Sequence, residues 1–272
     1  MHVWIPRALV RASHFPPTIA VTAFTTTLAV SADRGWGSVA VCAAVLTGQL
    51  TVGWSNDYID RERDRLAART DKPIAAGLIS AGVVRNSAVV AGLACVPLSI
   101  LSGWRAAVVH LAAVGAALGY NTWLKRTVFS VIPYVVAFGL LPAFVTLGGA
   151  GYRWPPAWTM VAAALLGAGA HFLNTVPDLA ADARSGVRGL PHRCGATGSV
   201  LIGGVLLGTA LAIVAIAPNE GLRVAAVCLV VAGGAAVAGV VATALIGRAR
   251  LAWHLSLAVA ALTVALYLAR GV

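Results

Sequence analysis

The stretch 37–64, GSVAVCAAVLTGQLTVGWSNDYIDRERD, decides the class of fold: residues 37–54 carry no charge, and from Asn56 onward carboxylates and arginines crowd together. A bilayer core is crossed by about 20 predominantly apolar residues, so 37–54 predicts a spanning helix that delivers Asp57, Asp60 and Asp64 to a membrane surface. The rest of the chain agrees. Of 272 residues 59% are hydrophobic and 11% charged, with mean hydropathy +0.86, whereas a soluble domain is about one-quarter charged.

Apolar runs broken by Gly, Pro or charge place further spans near 15–32, 81–102, 105–123, 128–149, 156–174, 199–217, 221–246 and 250–269. The expectation is an all-α polytopic membrane protein of about nine transmembrane helices, forming one membrane-embedded domain over 1–272. No cleavable signal peptide is expected: Pro6, Arg7 and Arg11 precede an apolar run that continues into a full span without a small-residue cleavage site.

Nine spans also sort the basic residues. One side would hold Arg34, Arg105, Arg153, Arg223 and Arg270, five of the 20 Lys and Arg, leaving fifteen for the amino terminus and the loops after the second, fourth, sixth and eighth spans. Retained cytoplasmic loops carry such an excess, so the amino terminus and the acidic loops are expected to be cytoplasmic, in a bacterial cytoplasmic membrane. The +11 formal charge suits a basic face beside anionic lipid and calls for no nucleic acid. All eight Trp, Trp4 included, fall near predicted span ends, as a headgroup belt requires. Cys42, Cys95, Cys194 and Cys228 make no CxxC, and no HxxxH pair occurs, so zinc and haem have no ligand set.

Seven of the nine acidic residues lie in two long polar connections, 55–80 and 175–198; Asp33 and Glu220 are the exceptions. If the helix continues past Trp54, Asp57, Asp60 and Asp64 share one face at i, i+3 and i+7. Like charges so placed need either a hard cation or basic partners, for which Arg61, Arg63 and Arg65 are at hand. Asn174, Asp178 and Asp182 repeat the pattern at i, i+4 and i+8 after the sixth span. Two such faces on one membrane side suit Mg²⁺ shared with the oxygens of a diphosphate, with loop Arg and Lys supplying counter-charge. A solvated turn explains one cluster but explains two matched ones poorly.

Asn56-Asp57-x-x-Asp60-x-x-x-Asp64, continued by Arg69-Thr70-Asp71-Lys72-Pro73-Ile74 and Gly77, resembles the first signature of the UbiA superfamily of intramembrane prenyltransferases. Asp178-x-x-x-Asp182-x-x-x-Gly186 is similar to its second, and Tyr120-Asn121-x-x-Leu124-Lys125-Arg126 to a third feature; the similarity extends over most of the chain. The resemblance implies nine helices around a central cavity whose cytoplasmic mouth binds Mg²⁺ and an isoprenyl diphosphate. It makes Asp57, Asp60, Asp64, Asp178 and Asp182 the metal set, with Asn56 and Asn174 beside them. Arg69, Lys72, Lys125 and Arg126 become diphosphate partners, and Tyr120 and Asn121 lie near the departing group. Lys72 departs from the pattern, since the family commonly has Arg there, and a point charge replaces a bidentate fork.

The expected activity is Mg²⁺-dependent transfer of the prenyl group to an aromatic or other lipophilic acceptor, with acceptor-free cyclisation to a terpene as the alternative on the same metal site. An allylic diphosphate ionises when its leaving charge is neutralised, and an apolar cavity keeps the cation from water. A transporter would need broken spans or mid-membrane charge, and neither is visible. Arg11, Ser13 and His14 are expected to face the headgroups rather than place an acceptor. Lys125 competes with an ordinary positive-inside anchor. His110, His171 and His254 are equally compatible with hydrogen bonding between helices, and residues 189–195 with a cap or a plain loop. Gly203-Gly204, Gly233-Gly234 and Gly115 to Gly119 lie in apolar spans and predict close helix packing rather than phosphate cradles.

Overall fold

A computed structural model of the chain describes residues 5–184, 186–218 and 223–270, and every regular element among them is helical. Helices α1 (Ile5–Ala12), α2 (Phe15–Ser31), α3 (Gly37–Leu66), α4 (Ala81–Ile100) and α5 (Trp104–Thr122) precede two 3-10 turns, Leu124–Arg126 and Val128–Val131. Then follow α6 (Ile132–Leu147), α7 (Ala157–Thr175), a third 3-10 turn (Val176–Asp178), α8 (Leu179–Arg184), α9 (Leu190–Ile216), α10 (Val224–Leu245) and α11 (Ala249–Ala269). Among the described residues, 7 helical segments are long and apolar enough to cross a bilayer, containing α3, α4, α6, α7, α9, α10 and α11, so this is an integral membrane protein. Helices α2 and α5 occupy the first and fourth predicted spans. The former has only 17 residues, and the latter carries Arg105, His110 and Asn121. Seven of the nine expected spans thus meet both the length and the composition expected of a bilayer crossing, and α2 and α5 lie where the other two are expected.

Two helices depart from the predicted boundaries, each for a local reason. α3 continues through the acidic run to Leu66, and Arg63 reaches back to Asp60 at i, i+3, the spacing at which side chains on a helix meet. α9 begins at Leu190 rather than near 199, with Pro191 in its first turn, where the missing N–H is no loss. Gly195 (φ 69, ψ 177) then kinks it. Residues 190–194 are thus the first turn of α9, between the Gly189 cap and the Gly195 kink.

The chain forms two compact units, one of α1–α5 with Phe144–Arg153, the other of Leu124–Ala143 with α7–α11. In the first, α3 packs on α2, α4 and α5, and Ala8 and Ala12 of α1 are buried with Ile79, Val84 and Trp54. In the second, α9 packs on α7 and α10. An added Cβ at Gly203 would come 2.8 Å from Leu173, at Gly204 2.7 Å from Val241, and at Gly233 2.7 Å from Leu211. Close packing holds for these three, but Gly115 and Gly234 face open space.

Trp36, Trp104, Trp123 and Trp154 are exposed, as belt residues would be. Trp54, Trp158 and Trp253 instead pack into the protein, and Trp4 lies outside the described residues. Two membrane-depth histidines hold neighbouring elements together. His110 Nδ1 is 2.8 Å from Ser99 Oγ and its ring stacks on Phe144. His171 Nε2 is 3.0 Å from Ser130 Oγ, and that hydroxyl also accepts from Leu190 N. His254 Nδ1 instead meets Arg250 O of its own helix.

Candidate functional site

In the first unit, Asp57, Asp60 and Asp64 line one face of α3 and are buried, at 1%, 3% and 3% exposure. The register, i, i+3 and i+7, is the one expected for a continuous helix. Their surroundings differ. Asp60 Oδ2 accepts from Asn56 Nδ2 at 3.2 Å and from Arg63 Nη2 at 3.0 Å. Neither oxygen of Asp57 accepts a hydrogen bond of good geometry; the Lys72 ammonium lies 3.5 Å from Oδ1 and the Ile74 backbone N–H also faces the carboxylate. Asp64 meets Arg63 Nε at 3.8 Å, and its Oδ2 is buried without a hydrogen bond. Of the three arginines on this helix, Arg63 meets the carboxylates, Arg65 pairs with Glu62 and Arg61 lies over the Tyr58 ring.

Asn121, on the last turn of α5, ties this face to its neighbour. It receives Asn56 Nδ2 at 3.1 Å and donates to Val52 O at 2.8 Å, while Tyr120 beside it is half-buried. Arg69 grips Asp71 through two bonds of 2.8 Å, a bidentate fork that holds the Asp71 carboxyl down to about 2. Lys72 also contacts His14, with Nζ 2.9 Å from Nε2. His14 is consequently pushed down to about 3, first by the Lys72 charge and then by burial.

The expectation that 11–14 face the headgroups is overturned for two of its three residues. Ser13 is 1% exposed, His14 reaches Lys72, and Arg11 alone is exposed, pointing toward Asp71 O at 3.5 Å. Sequence spacing gave no sign of the His14–Lys72 contact, which joins residues 58 positions apart.

The second unit holds Lys125, Arg126, Asn174, Asp178 and Asp182. Helix α7 stops at Thr175 and Pro177 lies in the 3-10 turn that follows, so the three residues do not follow one continuous α-helical face. Asn174 is exposed, whereas Asp178 and Asp182 are half-buried. Asp182 Oδ2 lies 3.4 Å from His192 Nε2, a neighbour from the stretch expected to be either a cap or a plain loop. Lys125 is 4% exposed, but Arg126 is exposed. Burial is the reverse of what a headgroup anchor requires of Lys125. The Lys125 turn is pinned closely: a Cβ at Gly189 would lie 2.8 Å from both Lys125 O and Ser130 Oγ.

Among the described residues no three His, Cys, Asp or Glu converge closely enough to hold a metal by themselves. The donors present are instead pairs of hard oxygens flanked by ammonium and guanidinium groups, an arrangement suited to an oxyanion that brings its own share of ligands.

No curated protein matches the sequence. Solved structures do. A ligand-free UbiA homolog from Aeropyrum pernix K1 matches with a TM-score of 0.76 at 20% identity, covering 92% of this chain and 96% of that one. A UbiA homolog from Archaeoglobus fulgidus bound to GPP and Mg²⁺ gives 0.67 at 17%, covering 97% and 99%, and a digeranylgeranylglyceryl phosphate synthase gives 0.68 at 15%, covering 97% and 98%. At such identities these likenesses establish the fold. The profile of the UbiA prenyltransferase family matches residues 14–243, and the chain therefore belongs to that family.

Proposed function

We propose that the protein is a Mg²⁺-dependent intramembrane prenyltransferase that ionises an isoprenyl diphosphate and passes the prenyl group to a lipophilic acceptor. The observation that carries this reading is the buried carboxylate face of α3, where Asp57 and Asp64 keep oxygens that accept no hydrogen bond of good geometry. A buried carboxylate is expensive unless it is paired, and the cations that face Asp57 and Asp64 stand off at 3.5 Å for Lys72 and 3.8 Å for Arg63.

Such oxygens fit Mg²⁺, which takes hard ligands and needs only one or two protein carboxylates when substrate phosphates complete its shell. That preference also accommodates the absence of a three-carboxylate cluster among the described residues. Asp57, Asp60 and Asp64, with Asp178 and Asp182, are the residues proposed to hold it. When bound, it would neutralise charge on the departing pyrophosphate. The relative from Archaeoglobus fulgidus was solved with GPP and Mg²⁺, which supports extending that chemistry to this chain.

The protein's own groups would do the rest. Lys72, Lys125, Arg69 and Arg126 donate to diphosphate oxygens, stabilising charge that grows as the C–O bond breaks. Asn56 and Asn121, fixed by their mutual hydrogen bond, and Tyr120 border the leaving group. The apolar helices solvate the isoprenoid tail and exclude water from the allylic cation. The amino terminus and both acidic connections are proposed to be cytoplasmic.

Cyclisation without an acceptor remains the second reading, because it asks the same of the diphosphate site. Purified protein with Mg²⁺ is incubated with C10, C15 and C20 diphosphates, with and without a membrane lipid extract. Prenylated lipid only in the presence of extract supports transfer. Pyrophosphate release with a hydrocarbon product and no extract supports cyclisation, and no Mg²⁺-dependent release under any condition rejects both.

A further inference from the structure

The turn between α1 and α2 is built to a degree that a headgroup contact would not need. His14 sits there in the left-handed region, φ 55 and ψ 55, which L side chains enter at a cost and which His tolerates better than most. Two contacts fix the turn. Thr18 Oγ1 donates to Ser13 O at 2.7 Å, and α3 presents Gly53 to Ser13, whose backbone would collide with any Cβ at that position. Gly53 is one helical turn before Asp57, so the same contact sets the height of His14 along the carboxylate face.

From this position the imidazole meets Lys72 at 2.9 Å, and Lys72 lies 3.5 Å from Asp57 with 15% of its side chain exposed. An ammonium has three N–H groups and no planar fork to fix their direction. His14 can accept one of them and Asp57 attracts a second. We propose that His14 is a positioning residue for the diphosphate site, holding the Lys72 ammonium so that its remaining N–H is presented to a phosphate oxygen instead of collapsing onto Asp57. The low proton affinity of His14 agrees with an acceptor nitrogen facing a cation. This role rests on the diphosphate reading above.

The test uses the full chain in detergent with Mg²⁺, inorganic pyrophosphate as the probe, and His14→Gln, His14→Leu, Lys72→Met and the double variant His14→Leu/Lys72→Met. Gln places an acceptor near the position of Nε2 and Leu places none. His14→Leu is expected to weaken pyrophosphate about tenfold, as loss of one charge-assisted contact should, and His14→Gln to recover most of it. In the Lys72→Met background His14→Leu should add nothing. The chain has two lysines, Lys72 and Lys125, so lysine-selective NMR reports the contact directly: the Lys72 signal should move in His14→Leu and hold in His14→Gln, with Lys125 unchanged. Equal weakening by His14→Leu with and without Lys72, or unchanged binding in a variant that melts normally, overturns the positioning role alone. A wild type that binds no pyrophosphate overturns the diphosphate reading and the role with it, and the lysine spectrum then still decides whether the contact exists.

Discussion

Asp57→Asn separates the site from the scaffold, because a large loss of activity is expected with little change in stability. The carboxylate is 1% exposed and lies 3.5 Å from Lys72; at an effective dielectric of about 20 that attraction is roughly 5 kcal/mol. Desolvating the two ions costs several kcal/mol each, and the Ile74 N–H and Lys72 ammonium that face Asp57 recover only part of it, since no contact reaches good hydrogen-bond geometry. The terms nearly cancel, so the neutral amide, whose oxygen still faces Lys72, is expected to change stability by no more than about 1 kcal/mol, or a melting shift within about 4 °C. Turnover has no such compensation. Losing a charge that acts on the leaving diphosphate is expected to lower kcat about 1000-fold, near 4 kcal/mol of transition-state stabilisation. Mg²⁺-dependent pyrophosphate release and detergent melting are measured on the same preparation. Near-normal release would refute the assignment of Asp57, and a melting drop beyond about 10 °C would show that its charge holds the fold instead.

Four other outcomes follow from the geometry. Lys125→Met should lower kcat and kcat/KM together, and Arg126→Met, at an exposed position, should lower both by a smaller factor; unaltered kinetics in correctly inserted Lys125→Met would return the buried Lys125 to the rank of an anchor. Gly53→Ala should destabilise by about 1–3 kcal/mol, because its methyl would strike the Ser13 backbone, and an unchanged melting temperature contradicts that contact. His14, held to about 3 against an ordinary 6.5, should stay neutral above pH 5; the folded state then binds fewer protons than the unfolded one, so this group withdraws stability as pH falls from 6.5 toward 3. Lys72→Met removes the larger cause of that shift, and histidine NMR should show the midpoint rise, with no movement counting against the contact. Finally, the carboxylates of α3 repel a bare anion, so pyrophosphate and Mg²⁺ should each tighten the other's binding by the same factor; pyrophosphate titrations with Mg²⁺ and with a chelator check this, and tight binding under chelator would argue for a purely cationic site.

How far the sequence could be read depended on whether the deciding interaction was local. Helix α3 announces itself because 37–54 is uncharged, and Asp57, Asp60 and Asp64 keep their register because the same helix carries all three. The second acidic run keeps its residues but loses its single face, since the 3-10 turn Val176–Asp178 changes the rise and rotation per residue between Asn174 and Asp182. Lys125 and Arg126 are adjacent basic residues with equal claim to be anchors, yet one is buried and the other exposed; nothing in their spacing predicts which, because a 3-10 turn determines it. Trp54 reads as a belt residue, but its Nε1 donates to Leu9 O at 2.9 Å across 45 positions. That bond, the Gly53–Ser13 approach and the His14–Lys72 contact all join the first turns of the chain to one stretch of α3 and the loop beyond it. The amino-terminal segment, unremarkable in hydropathy, is thereby part of the support for the carboxylate face, and truncating it would disturb the site as well as an entry helix.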